Sequence, residues 1–184
     1  MRRFAAIVLV AALVTVPAAA SADQGDTRLD GLFAKLHTAT SQEEADKISE
    51  SIWEIWTHAG NEEVDRLMTV GIVAMAQEHF TLALASFNAI VDKAPAFAEG
   101  WNKRATVYYL IGRYGESIAD VDRTLALEPR HFGAISGLGL IHLAQGDEQA
   151  ALAAFERALQ VNPHMPFVKL RVRDLKRKIR GEPT

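Results

Sequence analysis

Apolar residues fall along this chain in helical rather than strand order. Leu29, Leu32, Phe33 and Leu36 recur at i, i+3, i+4, i+7 and mark one face of a helix. Ser41 with Glu44 reads as a capping box that starts a second helix near 42. Along it, Ile48, Ile52, Trp53, Ile55 and Trp56 form an apolar face too wide for packing on one side only. Gly60 ends that helix and Asn61 caps the next. Near the other end, Pro166 suits a first helical turn, and Val168, Val172, Leu175 and Ile179 form a single stripe. The expected fold class is all-α.

Between these ends the pattern repeats. Pro95, Pro129 and Pro163 lie 34 residues apart, and aligning on them brings further columns into register. Gly71, Ala105 and Gly139 share one; Ala83, Ser117 and Ala151 a second; Phe87, Val121 and Phe155 a third; Val91, Leu125 and Leu159 a fourth. Gly112 and Gly146 share a fifth, where the first unit has Glu78. Each unit reads as helix, tight turn, helix. The small residues let paired helices cross closely and the Phe or Val column fills the seam. The glycine takes the left-handed backbone that closes a helix, and the proline stops the second helix.

Period and columns together resemble the tetratricopeptide repeat. In the second unit Trp101, Ala105, Tyr108, Gly112, Tyr114, Ser117 and Pro129 sit on that family's signature columns. In the third, Leu138, Gly139, Ala151, Phe155, Ala158 and Pro163 do. The first is degenerate, with Leu67 for the tryptophan, Ala74 for the tyrosine and Glu78 for the turn glycine. The resemblance implies a right-handed α-solenoid of helix-turn-helix repeats with helical caps at both ends. Its organisation is a flexible start at 23–28, a divergent helical pair at 29–63, and units at 64–97, 98–131 and 132–165. A capping helix with a basic tail follows at 166–184. The pair is expected to cover unit one, with Trp53 and Trp56 in the core.

In such folds the first helix of every unit lines a concave groove that binds proteins or peptides. Carried onto this chain, the groove positions are Asp65, Met68, Ile72 and Met75, then Glu99, Asn102, Lys103, Thr106 and Tyr109, then Gly133, Ser136, Gly137, Leu140 and Leu143. Some relatives hold a peptide's terminal carboxylate with Lys, Arg and Asn at these columns. Only Asn102 and Lys103 match that pattern, so carboxylate capture is not expected. The strip is mainly Met, Ile and Leu, and methionine adapts to varied apolar ligands. An apolar helix or extended segment of a partner fits it, with polar register from Asn102, Lys103 and Tyr109. Against this, Ile72, Leu140 and Leu143 serve equally well as core between units. Gly133 and Gly137 are costly inside a helix and would let a ligand backbone approach closely.

The chain's start changes the picture of where it works. Arg2 and Arg3 precede an apolar run from Phe4 to Val16, then small residues up to Ala20-Ser21-Ala22. This is the pattern of a secretory signal peptide over 1–22, cut between Ala22 and Asp23. The run is too short for a spanning helix, which needs about 20 residues. A periplasmic protein is the expectation, or a secreted one.

Charge and composition mostly exclude. Hydrophobic residues make up 49% and charged residues 23%, which is a folding composition rather than a disordered one. Residues 23–168 hold 21 acidic against 11 basic residues, whereas 169–184 hold 7 basic against 2 acidic. An acidic body argues against nucleic acid. The basic end has three readings: a solvated cap, a dock for an anionic partner or lipid head groups, or packing on the acidic body. The chain lacks cysteine, so thiol chemistry and cysteine-bound zinc are excluded. His37, His58, His79, His131, His142 and His164 form no ligand motif, and no metal or cofactor is expected. His142 replaces a signature tyrosine. Ser21 and Ser136 lack a nucleophile elbow, Gly137-Leu138-Gly139 is no phosphate loop, and Asp120, Asp122 and Glu128 read as a solvated face. The functional expectation is a non-enzymatic scaffold in cell-envelope assembly. The alternative is a structural protein that self-associates through its repeat faces as a homo-oligomer.

Overall fold

The computed structural model describes residues 25–181, and the expected leader, its expected cleavage site at Ala22 and Asp23, and residues 182–184 lie outside them. Nine helices and no strand occur among the described residues. A hairpin of α1 (Arg28–Thr38) and α2 (Gln42–Thr57) precedes three pairs. These are α3 (Glu62–Ala76) with α4 (Phe80–Lys93), α5 (Ala98–Leu110) with α6 (Tyr114–Leu127), and α7 (Phe132–Ala144) with α8 (Glu148–Val161). A single helix, α9 (Pro166–Ile179), follows. None of the described helices is long and apolar enough to cross a membrane.

The repeat columns have direct structural counterparts. Within each pair the helices cross where the first helix is small. A Cβ on Gly71 would stand 2.5 Å from the Phe87 ring, and one on Gly139 2.6 Å from the Phe155 ring. Both rings are fully buried, so neither crossing has room for a side chain at these glycines. The turn column needs positive φ: Gly112 stands at 77° and Gly146 at 80°. Glu78 takes the same conformation at 59°, with a Cβ that disfavours it. The prolines stand two residues beyond α4, α6 and α8. The Trp101 indole N–H donates to the carbonyl of Pro95 at 3.0 Å and so pins the loop between units one and two.

Charged residues also enter the interior. Asp120 and Glu128 are buried, contrary to the solvated face expected of them, while Asp122 is exposed. Asp120 accepts two bonds from Arg104, at 2.7 and 2.8 Å, and Arg104 also donates to Asn88 on α4. One guanidinium thereby ties α4, α5 and α6. A lone buried carboxylate would be costly, but a two-pronged guanidinium satisfies it. Glu128 accepts from the backbone and side chain of Arg130.

The two ends differ. Helix α9 covers unit three, burying Val168 and Leu175 against a core that includes Phe155 and Ala158, with Val172 at its edge; Ile179 is exposed rather than part of the stripe. Its flanking lysines reach the acidic second helix beneath: Lys176 pairs with Glu156 at 2.7 Å, and Lys178 with Glu148.

The hairpin does not cover unit one. Its α2 runs from the α8–α9 loop, past the α6–α7 loop, to the start of α3. Gln42 donates to the carbonyl of His164 (3.1 Å) and Asn162 donates to Ser49 (3.4 Å). Leu29, Phe33, Leu36, Ile52, Ile55 and Trp56 share a core with Phe132, and Val161 and Met165 pack against it. Arg130 lies over the Phe33 ring and pairs with Asp30 at 2.6 Å. The wide apolar face of α2 is used on two sides, by α1 and by the repeat body. Its second partner is the loop edge of units two and three, because those loops offer the aromatic and aliphatic surface that Trp53 and Trp56 need.

Candidate functional site

The inner helices α3, α5 and α7 do not present one continuous strip. Of the α3 positions, Met68 is buried in unit one's core, and Ile72 and Met75 pack beside it. Asp65 accepts from the backbone of Ala59 at 2.8 Å and lies 3.8 Å from His58, so it anchors the linker out of the hairpin. Leu143 packs toward α9, beside Leu175 and Arg171. These five therefore serve packing or the linker.

At the near ends of α5 and α7 the hairpin covers the groove. Glu99, a position read as lining, is fully buried. One of its oxygens accepts from Asn102 at 2.8 Å and from His131 Nε2 at 2.9 Å. Lys103 Nζ lies 3.0 Å from the other. His131 Nδ1 accepts from the Ala134 N–H, capping α7, and this assigns the ring proton to Nε2, where it is donated to Glu99. Burial alone would raise the Glu99 pKa. The charge of Lys103 and the bonds from His131 and Lys103 outweigh it and hold the carboxyl below its ordinary range.

The tryptophans close this cluster. Trp56 is buried and stacks on His131, with centroids 4.2 Å apart and planes 11° from parallel. Trp53 lies edge-on to His131 and Phe132, and Lys103 Nζ sits 5.5 Å from its ring centre. Gly133 makes room for it: a Cβ there would fall 2.6 Å from the ring. The close approach that Gly133 permits is thus made by the chain's own Trp53. Gly137, one turn on, has nothing near its missing Cβ.

Beyond the hairpin a cleft of ≈ 180 Å³ remains between α5 and α7, floored by α6. Asn102, Thr106 and Tyr109 form one wall; Gly133, Ser136, Gly137 and Leu140 form the other; Ala105, Ser117, Val121 and Ile141 make the floor. The hydroxyls of Thr106 and Ser136 are engaged with helix carbonyls, and the Ser117 hydroxyl donates to Ala105 in the floor. The open surface is therefore largely apolar, with Tyr109 at its mouth, 6.0 Å from Tyr114. It suits one bulky uncharged side chain and the backbone carrying it. Among the described residues no group of three or more His, Asp or Glu is placed to hold a metal.

Reasoning from sequence missed His131 and Glu99 as a buried pair. The signal that could have found them is the coincidence of a histidine at an N-cap, a glutamate in the first turn of the preceding unit, and two tryptophans on a helix face too wide for one partner.

Known proteins place this architecture. The tetratricopeptide repeat profile matches residues 71–127 and 111–166. A TPR repeat-containing protein of Rhizobium etli is 33% identical over 157 residues, which cover 85% of this chain and 77% of that one. The chain belongs to the tetratricopeptide repeat family. Among solved structures, the Sgt2 TPR domain of Aspergillus fumigatus superposes with a TM-score of 0.61 at 25% identity, covering 67% of this chain and 87% of its own. The first TPR of Spaghetti, bound to the HSP90 peptide SRMEEVD, gives 0.61 at 19% identity, covering 64% and 94%.

Proposed function

We propose that this protein is an exported, non-enzymatic scaffold that holds an apolar segment of a protein partner in the cleft between α5 and α7. The observation that carries the reading is the cleft itself: an apolar floor, an open glycine edge at Gly137, and Tyr109 at the mouth. A TPR domain of similar fold is described as bound to an acidic peptide, which favours peptide binding as the task. The chemistry favoured here is different. Asn102 and Lys103, the two residues suited to a carboxylate, are already engaged by Glu99. An anionic ligand would have to displace an internal carboxylate, whereas an aliphatic or aromatic side chain meets a ready surface. The secretory pattern of residues 1–22 favours work in the periplasm, in envelope assembly.

A photo-crosslinking residue at Tyr109 in living cells tests this, with exposed Glu116 on the outer helix as control. A discrete product at 109 alone, whose crosslinked segment is apolar, is the expected result. Equal products at both positions, or none at 109, would remove the groove as the site. Sequencing the N-terminus of the exported protein tests the leader, with Asp23 expected first.

A further inference from the structure

We propose that copies of this chain associate head to tail, the outer face of α9 in one copy packing on the upstream face of α3 and α4 in the next. The starting observation is one column of the repeat. Val73, Val107, Ile141 and Leu175 occupy the same place at 34-residue spacing on α3, α5, α7 and α9. Three of them are buried against the unit before, at 0%, 1% and 6% exposure, whereas Val73 is 49% exposed. Val70, one turn away, is 46% exposed, and Leu82 on α4 is exposed too. Among the described residues, unit one therefore keeps the apolar docking face of the family register uncovered. The helix that should cover it, α2, is held across the loops of units two and three instead.

The other end supplies a matching surface. Helix α9 stands in the register of a first helix, 34 residues after α7, and among the described residues no helix follows it to complete a fourth unit. Turned away from α8 it exposes Phe167 and Leu170, at 50% and 43%. Charge selects the pairing. Residues 166–181 hold seven basic residues and one acidic, and residues 62–93 hold five acidic and two basic. Glu62 and Glu63 pair locally with Arg66 and Lys93, and on α9 Lys176 and Lys178 pair with Glu156 and Glu148 of α8, yet residues 62–93 keep a net negative balance and residues 166–181 a net positive one. Two copies of either face would repel; one of each attracts. Because the two patches differ and lie at opposite ends of the stack, the contact is heterologous and extends into chains rather than closing as a two-fold dimer. It leaves the α5–α7 cleft open and stands independently of what that cleft holds.

The test uses purified protein in low salt, with light scattering after size exclusion. Wild type should show a mass that rises with concentration and falls with added salt. Val73→Glu and Leu170→Glu should each be monomeric, with at least tenfold weaker association. Each change is at an exposed site, and an unchanged melting curve certifies the fold. Mixed in equal amounts, the two variants should form a one-to-one dimer and nothing larger, since one retains a live α9 and the other a live α3. The native chain has no cysteine, so Val73→Cys and Leu170→Cys proteins, mixed and oxidised, should give the mixed disulfide in preference to either symmetric one. A wild type monomeric at every concentration, a mixture that stays monomeric, or symmetric disulfides in excess would each overturn the proposal.

Discussion

The two ends of the stack carry helices outside the three repeats and use them in opposite ways. Helix α9 continues the series and lays Val168 and Leu175 on unit three. The α1–α2 hairpin abandons its slot beside α3 and lies along the loops of units two and three. The difference is in what each finds to bury. The slot on α3 offers the valines of one helix face. The loop edge offers Phe132, His131, Val161, Met165 and a gap at Gly133 shaped for Trp53. Two tryptophans gain more there, since burying a large apolar side chain contributes roughly 1.5–3 kcal/mol. Register proposes a position, and side-chain complementarity disposes of it. The consequence reaches the site, because the hairpin fills one end of the groove and leaves the other as a cleft.

The largest effect should come from the hairpin's anchor. Trp56→Ala should cost about 3–5 kcal/mol and expose α1–α2 to protease while units two and three stay protected; thermal melting with limited proteolysis reads both. Equal protection of the hairpin would mean that Trp56 does not hold it. At the other end, Leu175→Ala should cost about 2–4 kcal/mol. It should release α9 without changing Trp53 and Trp56 fluorescence, and a shared response would show that the two ends are coupled through the body.

Smaller still is the acid response of the cluster under the hairpin. Glu99 has a folded pKa below its ordinary value. Its stabilising share is therefore present above the unfolded pKa, about 4.3, and is lost as pH falls through the folded pKa. Lys103 and His131 face it, and both direct donors at its oxygens, which favours the charged carboxylate over the neutral acid. Melting followed from pH 6 downward should fall more steeply in wild type than in Glu99→Gln. Parallel curves would assign the acid loss to other carboxylates. The smallest effect is a gain. Glu78→Gly relieves a left-handed backbone and should stabilise by about 0.5–1 kcal/mol, and a drop in melting temperature would show that the Glu78 side chain is needed.

Much of this architecture was readable in advance. Helix starts at Gln42 and Glu62 follow from the caps at Ser41 and Asn61, whose side chains accept N–H bonds in the first turn. The turns at Gly112 and Gly146, and the crossings at Gly71 and Gly139, follow from residues whose backbone or missing Cβ permits one geometry. The site was readable only in part. Thr106, Tyr109, Gly137 and Leu140 meet at the cleft, whereas Met68, Glu99 and Leu143 turn elsewhere. Column position fixes the face of a helix, and whether that face meets solvent depends on what the rest of the chain lays over it.

Local rules therefore determined the period, the helices, their crossings and their ends, since each is governed by contacts within about 34 residues and by backbone preferences carried in the residue itself. Only the tertiary structure decided where the hairpin goes, that Asp120, Glu99 and Glu128 lie inside, and which stretch of groove stays open. Those outcomes turn on competition between surfaces distant in sequence: Trp53 meets Gly133 and Asp30 meets Arg130 across some 80 to 100 residues. No periodicity encodes such a meeting; it is settled by the shape and charge of the two surfaces when they come together.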